Sequence, residues 1–222
     1  MKLLTTNTKI DKSMELLEDY YATILQLLPN KHLCVNYKLC IKTCLAFKGM
    51  AKVYPSILKS RKAKSKYFLE DNEKFIKQVI KEIKLQIKRA NKKSKKTVVR
   101  LNGFTDIDFS KYGIFELFPN VQFYDYSADY KKVLNNKYKN LHYTFSYKGN
   151  NLDECLHLLS KGINIAVIDI ADNQFFNNLY DFLPEMKSVY PNLKDVNHIN
   201  GDKHDFRFLD QTNSIVWLSE KK

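Results

Sequence analysis

The chain has 222 residues, 44% hydrophobic and 27% charged, with 37 Lys and Arg against 24 Asp and Glu and a formal net charge of +13. That is enough chain for one substantial core and short of a secure two-domain division, in the composition range of soluble globular proteins. No apolar run approaches the roughly 20 residues of a membrane span, and residues 1–7 offer neither a long apolar segment nor a small-residue cleavage site, so the expectation is a cytoplasmic protein with no secretory leader and reduced cysteines unless they hold metal.

Residues 3–10 read as a short strand running into a polar turn. Ser13 then suits a helix N-cap, because its hydroxyl can accept from free first-turn amides, with Glu15 and Glu18 near that positive end. Leu16, Leu17, Tyr20, Tyr21, Ile24, Leu27 and Leu28 follow at helical spacing, and Pro29 closes the run. Three of the four cysteines come next: Cys34, Cys40 and Cys44 within eleven residues. Cys40 and Cys44 stand one helical turn apart and can share a face, while Cys34 must arrive from a loop. Three thiolates converging in this way suit a soft metal or an iron–sulfur cluster. The alternative is ordinary buried cysteine, which packs as a small hydrophobe.

Pro55 interrupts, and Ser56 can cap another helix. Lys59, Arg61, Lys62, Lys64 and Lys66 make a dense positive stretch. Glu70 and Asp71 then open a long helix with Ile76, Val79, Ile80, Ile83 and Ile87 on its dry face and Lys77, Lys81, Lys84 and Lys88 on its wet one. Residues 91–96 form a basic turn. From there the pattern changes to short apolar runs at 97–102, 121–126, 141–146, 163–169 and 214–218, separated by helices and loops. Residues 152–159 form a helix closed by Gly162, with Cys155 in its core face. Strands about twenty residues apart with helices between them imply βα units. The expected fold is α/β: a mostly parallel sheet of about five to six strands with flanking helices. It forms one domain over 1–222, in which a mainly helical, cysteine-containing, basic portion (1–96) precedes the βα portion (97–222).

Each strand ends in polar groups: Asn102, Gly103, Thr105 and Asp106; Asp125, Tyr126 and Ser127; Thr144 and Ser146; Asp169. Sites in parallel α/β folds form at the carboxyl ends of strands, so these residues are expected to face one another. Turns and caps favour the same residue types without any site. Residues 200–210 add Asp202, His204, Asp205 and Arg207. Asp202 or Asp205 can bind a metal or take a proton, and His204 can shuttle one. A loop held by its own Asp–Arg and Asp–Lys pairs is the alternative.

Taken together, several stretches carry a resemblance. They are Leu4-Thr5-Thr6-Asn7-Thr8-Lys9, the three-cysteine block ending Cys44-Leu45, Val99-Arg100-Leu101-Asn102-Gly103 with Asp106-Ile107, the run at 118–126, Thr144-Phe145-Ser146, Asn164-Ile165-Ala166-Val167 and the block at 200–210. The chain resembles an uncharacterised family of bacteriophage and mobile-element proteins labelled gene-product-88-like. More loosely, its cysteine block is similar to that of radical SAM-like phage proteins, which use a parallel α/β partial barrel. That similarity implies a [4Fe-4S] cluster on Cys34, Cys40 and Cys44 whose open iron binds S-adenosylmethionine for one-electron chemistry on a substrate.

The expected function is therefore an iron–sulfur, radical SAM-like enzyme acting on a nucleotide or nucleic acid. Asp106, Asp202, His204 and Asp205 are its catalytic candidates. Asn102, Gly103, Asp125, Ser146 and Arg207 are its cofactor-binding candidates. One alternative is a basic nucleic-acid-binding or divalent-metal-dependent processing protein without a cluster. Its region 59–96 would contact phosphates, its carboxylates would hold Mg²⁺, and its cysteines would be structural or would bind Zn²⁺ with His32. The other is a non-catalytic host-interaction protein. The basic charge favours polyanionic partners, although an AT-rich genome also enriches Lys, Asn, Ile and Tyr.

Overall fold

The computed structural model describes residues 1–41, 44–169 and 196–219. Its frame is an eight-stranded sheet in the order β1-β2-β3-β4-β5-β6-β8-β7. The strands are β1 (Leu4–Thr5), β2 (Tyr20–Leu25), β3 (Lys96–Arg100), β4 (Gln122–Ser127), β5 (Leu141–Ser146), β6 (Ile165–Asp169), β7 (Asn197–Asn200) and β8 (Ser214–Ser219). Among the described residues only β1 runs antiparallel to its neighbour, and every other pairing is parallel. The helices are α1 (Thr8–Leu16), α2 (Tyr37–Cys40), α3 (Met50–Val53), α4 (Pro55–Glu70), α5 (Asn72–Asn91), α6 (Ile114–Leu117), α7 (Tyr130–Leu134) and α8 (Leu152–Ser160). No described helix is long and apolar enough to cross a membrane.

The α/β class and the mostly parallel sheet agree with the sequence expectation. In the N-terminal portion, which carries α1 to α5, one expected helix is absent. Tyr20–Leu25, expected to be helical, is a strand paired to β1 on one side and β3 on the other. It is buried on both faces: Ala22 and Ile24 face one way, Leu25 the other. A strand dry on both sides is a continuous apolar run, and such a run satisfies a helical template as readily as a strand template. The helix lies earlier, where Asn7 Oδ1 caps it by accepting from Lys9 N (3.1 Å) and Ile10 N (3.0 Å). Ser13 is inside that helix, not at its cap, and its hydroxyl donates to Lys9 O (2.7 Å). Ser56 is not a cap either: Pro55 starts α4, and Asp71 caps α5 through Lys74 N (3.2 Å). Among the described residues the sheet has eight strands where five to six were expected, β2 and β7 being the additions. It is not closed: β1 and β7 are its two edges.

The parallel crossovers put α4 to α8 on one face. Phe68, Phe75, Val79, Phe115, Val133, Leu156 and Leu159 form one cluster with Val99, Phe123, Tyr143, Phe145, Ile165 and Ile215. Cys155 belongs to this cluster, as expected of a core cysteine. The opposite, inner face holds a smaller cluster: Ile10 of α1, Ala22, Ile24, Val98, Tyr124 and Phe206. The edge strand β1 is tied down by a side chain from α5. Glu82 accepts from Leu3 N (3.0 Å) and Leu4 N (2.7 Å), while Lys64 donates to Leu3 O (3.0 Å). Removing that carboxylate strands two buried amides and one buried ammonium. Glu82→Ala is expected to lower the unfolding free energy by about 2–4 kcal/mol, read from urea midpoints.

Candidate functional site

Because β2 is a strand, the cysteine block is the loop that follows the first parallel strand, at the carboxyl edge of the sheet. Residues 42 and 43 of that block lie outside the described residues. The loop is stitched to the tips of the next strands. Asp106 N donates to Leu33 O (2.9 Å), and Asn36 Nδ2 donates to Ala128 O (2.8 Å), which Lys148 Nζ also reaches (2.9 Å). The Cys34 thiol points at Phe104 O (3.9 Å). From α4, Arg61 donates to Ala46 O (2.6 Å) and stacks over Phe104 (4.2 Å).

All three thiols are half-buried, and burial pushes each of them up, Cys34 to about 12. They also feel one another: Cys44 raises Cys34, and Cys40 raises Cys44. Asp106 adds to the repulsion at Cys34 and Cys40, whereas Lys148 eases Cys40 and Arg61 eases Cys44. Among the described residues no three His, Cys, Asp or Glu side chains stand close enough to hold a metal ion. His32 is exposed.

Several of the predicted cofactor residues are engaged within the fold. The Asn102 amide uses both N–H groups, to Asp125 Oδ2 (3.1 Å) and Ile107 O (3.0 Å), and its oxygen accepts from Thr105 Oγ1 and Ile107 N. Asp125 also accepts from Asn102 N (2.8 Å). Asp106 accepts from Ser127 Oγ and Ala128 N (both 2.8 Å) and pairs with Lys132. Gly103 lets the chain pass against β2, since a Cβ there would stand 2.9 Å from Leu25 O. These residues shape the edge on which the cysteine loop sits. Ser146 is on the inner face of β5, and Asp169 ends β6 with its side chain outside the described ones.

The block at 200–210 divides. Asp202 is exposed, and its carboxylate accepts from Ser219 N (2.8 Å), apart from the cysteine loop. Asp205 is buried on the inner face. It accepts from Arg100 Nη1 (3.0 Å) and Tyr124 OH (2.7 Å), lies 3.7 Å from Lys9 Nζ, and its own N donates to Ser13 Oγ (2.8 Å). Burial alone would push its carboxyl up; Arg100, Lys9 and the Tyr124 hydroxyl outweigh that and hold it below the usual carboxylate value. Arg207, fully buried, donates to His204 O (2.6 Å) and faces His204 Nδ1 (3.1 Å) and Asp210 Oδ2 (3.1 Å). Burial first, and Arg207 second, pull His204 below its ordinary value. The expected site is therefore two places, a thiol-bearing edge and an inner-face charge cluster, joined by Arg100, whose Nη2 approaches Gly103 O at 3.5 Å.

The Gene product 88 family model matches residues 1–222, the whole chain. The chain belongs to this family. No curated protein and no solved structure matches it significantly. For this Gene product 88 member the sequence reading missed Lys9, Arg100, Tyr124, His142 and Asp210 as partners in the inner cluster. A signal was present: Arg100, Tyr124, Tyr126, His142 and Thr144 alternate with core residues, so one sheet face carries polar groups.

Burial raises Asp125 to about 6, against the smaller opposing effects of Arg100, Asn102 and Lys132. The folded state then holds this proton at pH values where the unfolded state has lost it, so the contribution of Asp125 to stability falls as pH rises from about 4 to about 6. Asp125→Asn is expected to remove that part of the decline, seen as a difference in urea midpoints between the two proteins across pH 4 to 7.

Proposed function

We propose that this chain is an iron–sulfur, radical SAM-like enzyme acting on a nucleotide or nucleic acid, with Cys34, Cys40 and Cys44 as cluster ligands. One observation carries the reading: the connection that leaves β2, the first strand of the parallel run β2-β3-β4-β5-β6-β8, at its carboxyl edge carries Cys34, then Cys40 at the end of α2, then Cys44. That edge is where parallel α/β folds build their sites.

The donor set fits the group. Three thiols in one loop are soft ligands, and burial with mutual repulsion favours their protonated forms until a cation compensates. Loading requires the loop to close around the metal, because the described side chains do not form a closed ligand set. A bound cluster with S-adenosylmethionine would supply one-electron chemistry toward a substrate C–H bond. The chain's own part is positioning. Arg61 and Lys148 favour thiolate at Cys44 and Cys40. The Asp106–Lys132 pair keeps the tips of β3 and β4 against the loop.

Anaerobic purification with iron and sulfide reconstitution is expected to give a brown protein with about four irons per chain. Cys34→Ala, Cys40→Ala and Cys44→Ala should each lose the colour, while Cys155→Ala retains it. A colourless, iron-free wild type would overturn the reading, and zinc in its place would assign the thiols to a structural site.

A second reading, a basic nucleic-acid-binding protein, is favoured by one feature. Lys77, Lys81, Lys84 and Lys88 line a shallow groove along α5 with Ile80 and Leu85. If this face contacts phosphates, the triple variant Lys81→Gln, Lys84→Gln, Lys88→Gln is expected to weaken binding across sequences. It should also flatten the salt dependence by about 2–3 in the log–log slope for duplex DNA. An unchanged slope would exclude the face.

A further inference from the structure

We infer that the inner face of the sheet over β3, β4 and β5 recognises an oxyanion group of a small ligand, phosphoryl or carboxylate. Strand register sets the floor of the site. Tyr124 stands opposite His142, and Tyr126 opposite Thr144, all on the face away from α4 to α8. Arg100 of β3 lies over the Tyr126 ring (4.7 Å). The 3₁₀ turn Arg207–Leu209 packs onto β4 and β5 from above, through Phe206 and Phe208 against Tyr124.

Several polar atoms in this layer are buried without a hydrogen-bond partner: Arg100 Nε, Tyr126 OH, Thr144 Oγ1, His142 Nε2, Arg207 Nε and Nη1, and Asp210 Oδ2. Thr144 and Arg207 are fully buried. Buried polar groups are normally satisfied, and several orphans in one layer are unusual. The pattern is also chemically one-sided. The guanidinium nitrogens are obligatory donors, the two hydroxyls are free to donate, and neutral imidazole donates from one of its nitrogens. Against the three obligatory guanidinium donors, Arg100 Nε and Arg207 Nε and Nη1, the set holds one obligatory acceptor, Asp210 Oδ2, so donors are in excess. Burial, with Arg207 beside it, pulls His142 down to about 4, so it adds no charge at neutral pH.

The cations of the layer are gathered in one place. Lys9, Arg100 and Arg207 stand close together here, with the carboxylates of Asp205 and Asp210 beside them and those of Asp202 and Asp125 acting on Lys9 and Arg100. Asp205 is saturated by Arg100 and Tyr124. Asp210 sits 3.1 Å from Arg207 Nη1 but off hydrogen-bond alignment, which leaves guanidinium donors uncommitted. Lys9 and Arg100 border the layer, with side chains 24% and 13% exposed. An oxyanion bound there would answer the donors with charge-assisted hydrogen bonds.

This inference stands apart from the cysteines, and its test needs no metal. Inorganic phosphate and acetate are titrated calorimetrically into the full-length chain, with ionic strength held constant by chloride. Saturable one-site binding of either is expected, phosphate alone marking a phosphoryl ligand and acetate alone a carboxylate. Tyr126→Phe and Thr144→Val each delete one orphan hydroxyl at nearly constant volume. Each should weaken binding by about tenfold or more while the melting temperature in chloride stays equal or rises. The α5 lysine triple variant should bind like wild type. The inference is overturned if neither oxyanion binds beyond chloride, if the hydroxyl variants bind as tightly as wild type, or if the loss follows the α5 lysines instead.

Discussion

The carboxylate of Asp205 is the contact on which the inner half of this molecule depends. It is buried, and it survives there as an anion because Arg100 and Tyr124 donate to it and Lys9 stands near. An isolated buried charge would cost several kcal/mol; this one is matched on every side. The same residue's amide donates to Ser13 Oγ, so β3, β4, α1 and the segment before β8 meet at one point. Phe206 and Phe208 follow directly and pack their rings on Tyr20 and Tyr124. The electrostatic contact and the apolar one are adjacent in sequence, and each keeps the other dry.

With the inner face held in this way, the two sides of the sheet differ in kind. The helix side is a conventional core, with Phe, Leu, Ile and Val from α4 to α8 packed on the strands. The inner side is part apolar and part polar, and its polar part is incompletely satisfied. A chain that carries several unanswered donors in one layer gives up stability there, a pattern common where a fold is shaped for a ligand. The carboxyl edge is different again. Asn102, Asp106 and Asp125 are bonded almost to saturation, which makes the edge a rigid seat for the cysteine loop.

The candidate residues were legible in the sequence by type more than by role. The three cysteines, Asp106 and the 200–210 block all stand out from composition and spacing alone. Their division into two places does not. Asp106 and Asp205 are both carboxylates near basic residues, yet one anchors an edge loop and the other is buried against a sheet face. The difference lies in where each loop packs: Asp106 follows β3 and is held at the tips of the strands, whereas Asp205 lies just before the 3₁₀ turn laid over the inner face. Arg100 was passed over for the same reason: in a run of valines it reads as a solvated strand end, and only the packing of residues 205–209 above it encloses it.

The sequence by itself determined the alternation of helices and apolar strands after residue 96, the parallel α/β class, and the amphipathic α5 with its lysine face, because these rest on local periodicity and turn chemistry. It also determined that three thiols share one short loop. Only the tertiary structure decided that Tyr20–Leu25 is a strand, since an apolar run buried on both sides has no periodicity to betray it. Only the tertiary structure decided that Ser13 and Asp205 touch across 192 residues of chain. Contacts of that span follow from which elements end up adjacent, and adjacency is settled by burying the whole sheet at once.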